Sequence, residues 1–146
     1  MIFADTSFFV AGIDRRDTRH DAARELIGQV DRGRIVTTNQ VRGETWTVVR
    51  RKLWHAKACD FLDSLTRSAA HIRVHLVDAE LEREALDWLR AHDEREYSFV
   101  DATSFAFMRR NGITEALAFD GDFAAAGFIE LRPLIRSRGT AEPLAP

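Results

Sequence analysis

Five short apolar runs are spaced along this chain, and between them the apolar residues recur at helical intervals. The runs are Met1-Ile2-Phe3-Ala4, Ile35-Val36-Thr37, the stretch from Ile72 to Val77, Ala116-Leu117-Ala118-Phe119 and Phe128-Ile129-Glu130-Leu131. Each has the length of a strand and is too short for a helix. The spacing predicts a helix after Asp5 through Phe8 and Val10, and a second from about His20 through Leu26, Ile27 and Val30 to Gly33. A third is expected from Thr38 to Leu53, with Val41, Trp46, Val49 and Leu53 on one arc. Phe61, Leu62 and Leu65 mark a fourth, Leu81, Ala85, Trp88 and Leu89 a fifth behind a cap at Asp78, and Ser98 opens a sixth that ends at Asn111-Gly112. Strands that alternate with helices pair in parallel through crossovers. The predicted fold is therefore a three-layer α/β domain, with a central, mostly parallel sheet of about five strands flanked by helices.

With 146 residues, 45% of them hydrophobic and 30% charged, the chain has the size and composition of one globular domain. The domain is expected over residues 1–133. Residues 134–146 hold Gly, Thr and two of the three prolines but few apolar side chains, and are expected to form a flexible tail. The longest early apolar run, Phe8 to Ile13, is too short to span a bilayer and has no basic segment before it, so neither a membrane anchor nor a signal peptide is expected. Cys59 is the single cysteine, which excludes an internal disulfide and points to a reducing, cytoplasmic location.

Chemistry is concentrated in the acids at the ends of these elements. Asp5 ends the first strand, Glu44 lies in the third helix, Asp101 begins the sixth, and Asp120 and Asp122 follow the fourth strand. In an open α/β sheet, ligands bind beyond the carboxyl ends of the strands, where Asp5 and Asp120 fall. Carboxylates gathered there raise one another's pKa unless a cation neutralises them, and oxygen donors suit Mg²⁺ or Mn²⁺. Each acid also has a plainer use. Asp5 can cap the following helix, Asp101 lies at the capping-box spacing from Ser98, and Asp120-Gly121 is a common turn. The residue pattern leaves both readings open. Asp101, one turn before Phe105 and two before Met108, and Glu44, one turn before Val48, lie along or at the margin of apolar faces, where a carboxylate needs a partner.

Four segments carry a resemblance: Phe3-Ala4-Asp5-Thr6-Ser7, Thr37-Thr38-Asn39-Gln40-Val41-Arg42-Gly43-Glu44-Thr45, Phe99-Val100-Asp101-Ala102, and Ala118-Phe119-Asp120-Gly121-Asp122-Phe123. In order and spacing they are similar to the four acidic blocks of PIN-domain ribonucleases, and among these to the VapC toxins of bacterial toxin–antitoxin pairs. The similarity runs from residue 1 to about Leu131. It implies a Mg²⁺- or Mn²⁺-dependent endoribonuclease in which Asp5, Glu44, Asp101 and Asp120 are the metal-holding, catalytic acids. Asp122 would be a further ligand or a turn residue, and Thr6 would orient a carboxylate or water. Cleavage of RNA to a 5′ phosphate and a 3′ hydroxyl, a small cognate antitoxin and a homodimer are implied as well. The exposed side of the Leu26–Val30 or Phe61–Leu65 helix is a candidate dimer surface.

Two other function classes remain in view. An aspartyl phosphotransfer protein would want a second Asp two residues after the first, where this chain has Ser7. A catalytically silent RNA- or protein-binding module of the same fold has no such objection from the motifs, though intact acids weigh against it. The net charge of −2 does not advertise a nucleic-acid partner. Without the five acids named above, however, 18 Asp and Glu stand against 21 Lys and Arg. The basic residues cluster at Arg15-Arg16, Arg50-Arg51-Lys52, Arg109-Arg110 and Arg132, Arg136 and Arg138. Apart from His71 and His75, which straddle the entry to a predicted strand, the five histidines show no tight metal-ligand spacing. Trp46 and Trp88 are expected in the core, and Trp54 is the tryptophan best placed to stack on a base.

Overall fold

The computed structural model describes residues 1–134. Five strands, β1 (Ile2–Ala4), β2 (Ile35–Thr38), β3 (Ile72–His75), β4 (Glu115–Leu117) and β5 (Ile129–Glu130), form one sheet in the order β3-β2-β1-β4-β5. Every pairing is parallel, so the expectation of a mostly parallel sheet is met in full. Among the described residues the helices are α1 (Thr6–Ile13), α2 (His20–Gln29), α3 (Asn39–Lys52), α4 (His55–Arg67), α5 (Ala79–Ala91), α6 (Phe99–Arg110) and the short α7 (Asp122–Ala125). The expected tail lies outside the described residues except for Leu134, whose N–H donates to Gln29 Oε1 at 2.9 Å.

The chain moves outward from β1 to β2 and β3, then returns to place β4 on the other side of β1. With right-handed crossovers, that reversal puts α1 to α4 on one face of the sheet and α5 to α7 on the other. It also leaves a crevice between β1 and β4 at their carboxyl ends. Phe3 and Phe123 anchor the α5–α7 side, with ring centroids 5.9 Å apart, and Phe105 meets Phe123 edge-on at 5.0 Å. All three are fully buried, each contributing roughly 2–3 kcal/mol of transfer free energy. Helix α6 is the central support: every residue from Asp101 to Met108 is buried, which marks it as covered on all sides rather than amphipathic.

Several elements depart from the sequence reading. Helix α2 ends at Gln29, short of Gly33, because Val30 is already extended and residues 32–34 form a separate 3-10 turn, and β5 is confined to Ile129–Glu130. The third strand stops at His75 instead of continuing to Val77, because its only neighbour, β2, ends at the paired residue Thr38 to become the cap of α3. Asn39 Oδ1 takes the Val77 N–H at 2.8 Å, and Leu76 turns outward with 77% of its surface exposed. The fourth strand ends at Leu117, since the Phe119 N–H leaves the sheet to donate to Ser7 Oγ at 3.0 Å. Helix α7 is additional; at four residues it is too short to show periodicity.

Candidate active site

The acids meet because local hydrogen bonds turn each element end toward the crevice. Asp5 caps α1: its Oδ2 accepts from the Ser7 N–H at 3.0 Å and the Ser7 hydroxyl at 2.7 Å. Its own N–H donates to Leu117 O at 3.0 Å, which fastens the end of β1 to the end of β4. Asp101 is the third residue of α6 and forms a complete capping box, accepting from the Ser98 N–H at 2.9 Å while its N–H donates to Ser98 Oγ at 3.0 Å. Asp120 Oδ1 accepts from the Asp122 N–H at 3.1 Å across Gly121. Gly121 has φ +83°, a left-handed conformation that side chains other than Gly adopt at a cost. Thr38 caps α3, and on the second turn of that helix Glu44 accepts from the Thr6 hydroxyl at 2.5 Å. The plain reading and the clustered reading of these acids therefore both hold, because the caps aim the carboxylates.

Asp5, Glu44, Asp101, Asp120 and Asp122 all line one cleft of about 440 Å³, together with Thr6 and Ser7. Carboxylate oxygens of Asp101, Asp120 and Asp122 lie within 4.8 Å of one another. Asp5 is almost wholly buried, and its Oδ1 has no hydrogen-bond partner. Burial, reinforced by the charge of Asp120, pushes the Asp5 carboxyl up to about 8 against the two Ser7 hydrogen bonds. Asp120 is exposed as a residue, yet its carboxyl faces the cleft: desolvation, with Asp101 and Asp122 nearby, raises it to about 6. Asp101 is also raised, by burial first and by the charges of Asp122 and Glu44. Such a set holds protons it would give up to a cation. An orphaned buried oxygen beside convergent carboxylates is the donor arrangement a hard divalent ion requires.

Asp122 differs from the others, because its Oδ1 is taken by Arg95 Nε at 2.8 Å. The partner that Glu44 needs is the Thr6 hydroxyl. Ser7, Ser98 and Arg95 are the site residues the sequence reading did not assign. Ser98 was legible only as a cap, and Ser7 and Arg95 act on residues 112 and 27 positions away, which no local pattern reveals.

A PIN domain model matches residues 2–129. The chain belongs to the PIN-domain family. It is 50% identical over 133 residues to the 23S rRNA-specific endonuclease VapC20 of Mycobacterium tuberculosis, a match covering 91% of this chain and 99% of that protein. The crystal structure of that VapC20, described as a sarcin–ricin loop cleaving toxin, superposes with a TM-score of 0.85 at 49% identity over 91% of this chain and all of the other. FitAcB from Neisseria gonorrhoeae, at 17% identity and a TM-score of 0.65 over 91% of this chain and 98% of that one, shares the fold. The expected family, α/β fold and endoribonuclease class agree with these relatives. Among the described residues, no helix of this PIN domain is long and apolar enough to cross a membrane.

Proposed function

We propose that this PIN domain is a divalent-metal-dependent endoribonuclease, the toxin of a toxin–antitoxin pair, and that it cuts 23S ribosomal RNA. The observation that carries the activity is the buried Asp5 Oδ1, without a partner among the described residues, in a cleft with six further carboxylates, four of them Glu44, Asp101, Asp120 and Asp122. The half-identical 23S rRNA-specific endonuclease supports the choice of substrate.

Asp5, Glu44, Asp101 and Asp120 would hold Mg²⁺ or Mn²⁺, with Asp122 at the margin because Arg95 already engages it. When bound, such an ion makes water acidic enough to attack near neutral pH and offsets the charge of the phosphodiester. The chain's own part is orientation. Ser7 fixes Asp5, Ser98 fixes Asp101, the Asp122 N–H fixes Asp120 and the Thr6 hydroxyl fixes Glu44, so the carboxylates are preset. The products are a 5′ phosphate and a 3′ hydroxyl.

A small antitoxin and a second copy of the chain are the protein partners of this reading, in the cytoplasm. The exposed sides of α2 and α4, opposite the buried Leu26, Phe61 and Leu65, are candidate surfaces for the second copy. An apolar groove of about 200 Å³ between α1, α2 and α4, floored by Phe8, Phe9 and Ile27 among others, is a further support for a protein contact on that face.

The test is cleavage of total RNA by the purified protein in Mg²⁺, with end mapping. Cuts in 23S rRNA that vanish with EDTA and with Asp101→Asn are expected. Cuts that persist in both would sink the metal-site reading. Cuts confined to other RNAs would overturn the substrate.

A further inference from the structure

The cleft that gathers the acids is lined by seven carboxylates and only two cations, Arg19 and Lys52. An RNA strand entering it meets strong repulsion from the acids, and a metal ion at their centre offsets only part of that. Arg19 and Lys52 are the cleft-lining side chains placed to supply the remaining attraction. They belong to the α1–α3 layer, Arg19 on the turn before α2 and Lys52 on the last turn of α3. Asp101 and Asp122 belong to α6 and α7, across the crevice.

Arg19 and Lys52 combine two properties: they line the acid cleft, and their charge is not committed to an ion pair. Arg16, Arg90, Arg95, Arg110 and Arg132 each stand within 4.0 Å of a carboxylate oxygen. Arg109 lies over the rings of Trp88, Phe105 and Phe128. Among the described residues, neither Arg19 nor Lys52 has an ion-pair partner. The Arg19 guanidinium instead lies 5.9 Å from the centre of the Phe119 ring, the residue before Asp120, which holds it at the mouth of the cleft. Two residues past Lys52, where α3 has ended, Trp54 is 53% exposed, with the Lys57 ammonium 5.9 Å from its ring centre. Trp46 and Trp88, by contrast, pack against the two cores.

We propose that Arg19 and Lys52 hold the phosphates of the RNA strand that neighbour the scissile one, and that Trp54 stacks an unpaired base of the same strand as it leaves the cleft. The inference rests on the nuclease reading above and extends it to the path of the substrate. Charge complementarity selects a phosphate backbone, and an exposed indole beside a cationic run suits single-stranded rather than paired RNA.

The experiment measures affinity and turnover separately. A fluorescein-labelled RNA hairpin bearing the sarcin–ricin loop is titrated by polarisation in Ca²⁺ over a range of KCl, with the RNA checked on a gel for integrity afterwards. Arg19→Gln and Lys52→Gln should each reduce the slope of log affinity against log salt by about 0.7, the value for one phosphate contact on a single strand. Trp54→Ala should weaken binding about tenfold with the salt slope unchanged, and Trp54→Phe should restore it. In Mg²⁺, KM should rise in all three while kcat at saturating RNA stays within about twofold, as for interactions made equally in ground and transition states. Mn²⁺ affinity, read by calorimetry, should not move.

An unchanged slope in the Arg19→Gln, Lys52→Gln double variant would overturn the proposal. So would an equal change from Arg24→Gln with Arg67→Gln, which line a different groove. Loss of Mn²⁺ affinity would reassign the residues to the metal site. Wild-type protein that binds with the expected slope but never cuts would overturn the nuclease reading and leave the track supported.

Discussion

The Thr6 hydroxyl donates to Glu44 Oε2 across 2.5 Å, joining the first turn of α1 to the second turn of α3. Glu44 comes from a helix that extends beyond the sheet, and this bond is what turns its carboxylate to the cleft. Thr6→Val keeps the shape and removes the donor. It should weaken Mn²⁺ binding about tenfold, the lower end for a residue that orients a ligand, and change global stability by only about 1 kcal/mol. Calorimetry and thermal unfolding check the two halves of that statement.

The raised carboxyls make stability depend on pH with a definite sign. Asp5 titrates from 3.8 in the unfolded chain to about 8 in the fold, and Asp120 from 3.8 to about 6. Between those values the folded state binds more protons than the unfolded one. The contribution of these groups is therefore fully present below about pH 3.8 and declines as pH rises, with the Asp120 part lost by about 6 and the Asp5 part by about 8. In EDTA, melting temperature should fall from pH 5 to pH 8, and Asp5→Asn should flatten the fall. A profile that rises through this window in wild type and variant alike would contradict the burial of Asp5.

Divalent ions should reverse that trend, because binding displaces the same protons. The stabilisation given by Mg²⁺ or Mn²⁺ should grow between pH 6 and pH 8, with measurable proton release when calorimetry is repeated in buffers of different ionisation enthalpy. Equal stabilisation at both pH values would show that the ion binds elsewhere.

The Arg95 contact gives Asp122 a different role from the other acids of the cleft. Asp101→Asn should lower both metal affinity and cleavage at least a hundredfold, the size of a lost electrostatic stabiliser. Asp122→Asn, whose oxygen already serves Arg95, should lower them about tenfold or less, as an outer group does. Matched losses from the two substitutions would make Asp122 a full ligand.

Much of this site could be read from sequence because the signals that end strands and start helices are local, and here the same residues carry the charge. Asp5, Asp101 and Asp120 were each legible as a cap or turn, and the structure shows each making that bond while pointing its carboxylate into the cleft. The partners that join distant elements were not legible. Nothing near Ser7 announces that it bridges Asp5 to the Phe119 N–H. Strand length also failed at the sheet edge, where Leu76 looks as apolar as Val74 but, among the described residues, has no neighbouring strand to pair with. Arg109 and Arg110 read as one basic cluster, yet Arg109 packs on aromatic rings and Arg110 is paired to Glu84.

Because β4 pairs with β1, Phe3 against Ala116 and Ala4 against Leu117, the first and last acids of the cleft are neighbours in space only after the sheet has closed. During synthesis the opening segment waits, with a hydrophobic strand edge bare, until the final quarter of the polypeptide emerges. A chain that has not yet released residues 115–125 has neither Asp120 in place nor the support of α7, so the acid cleft is among the last features of the domain to be assembled.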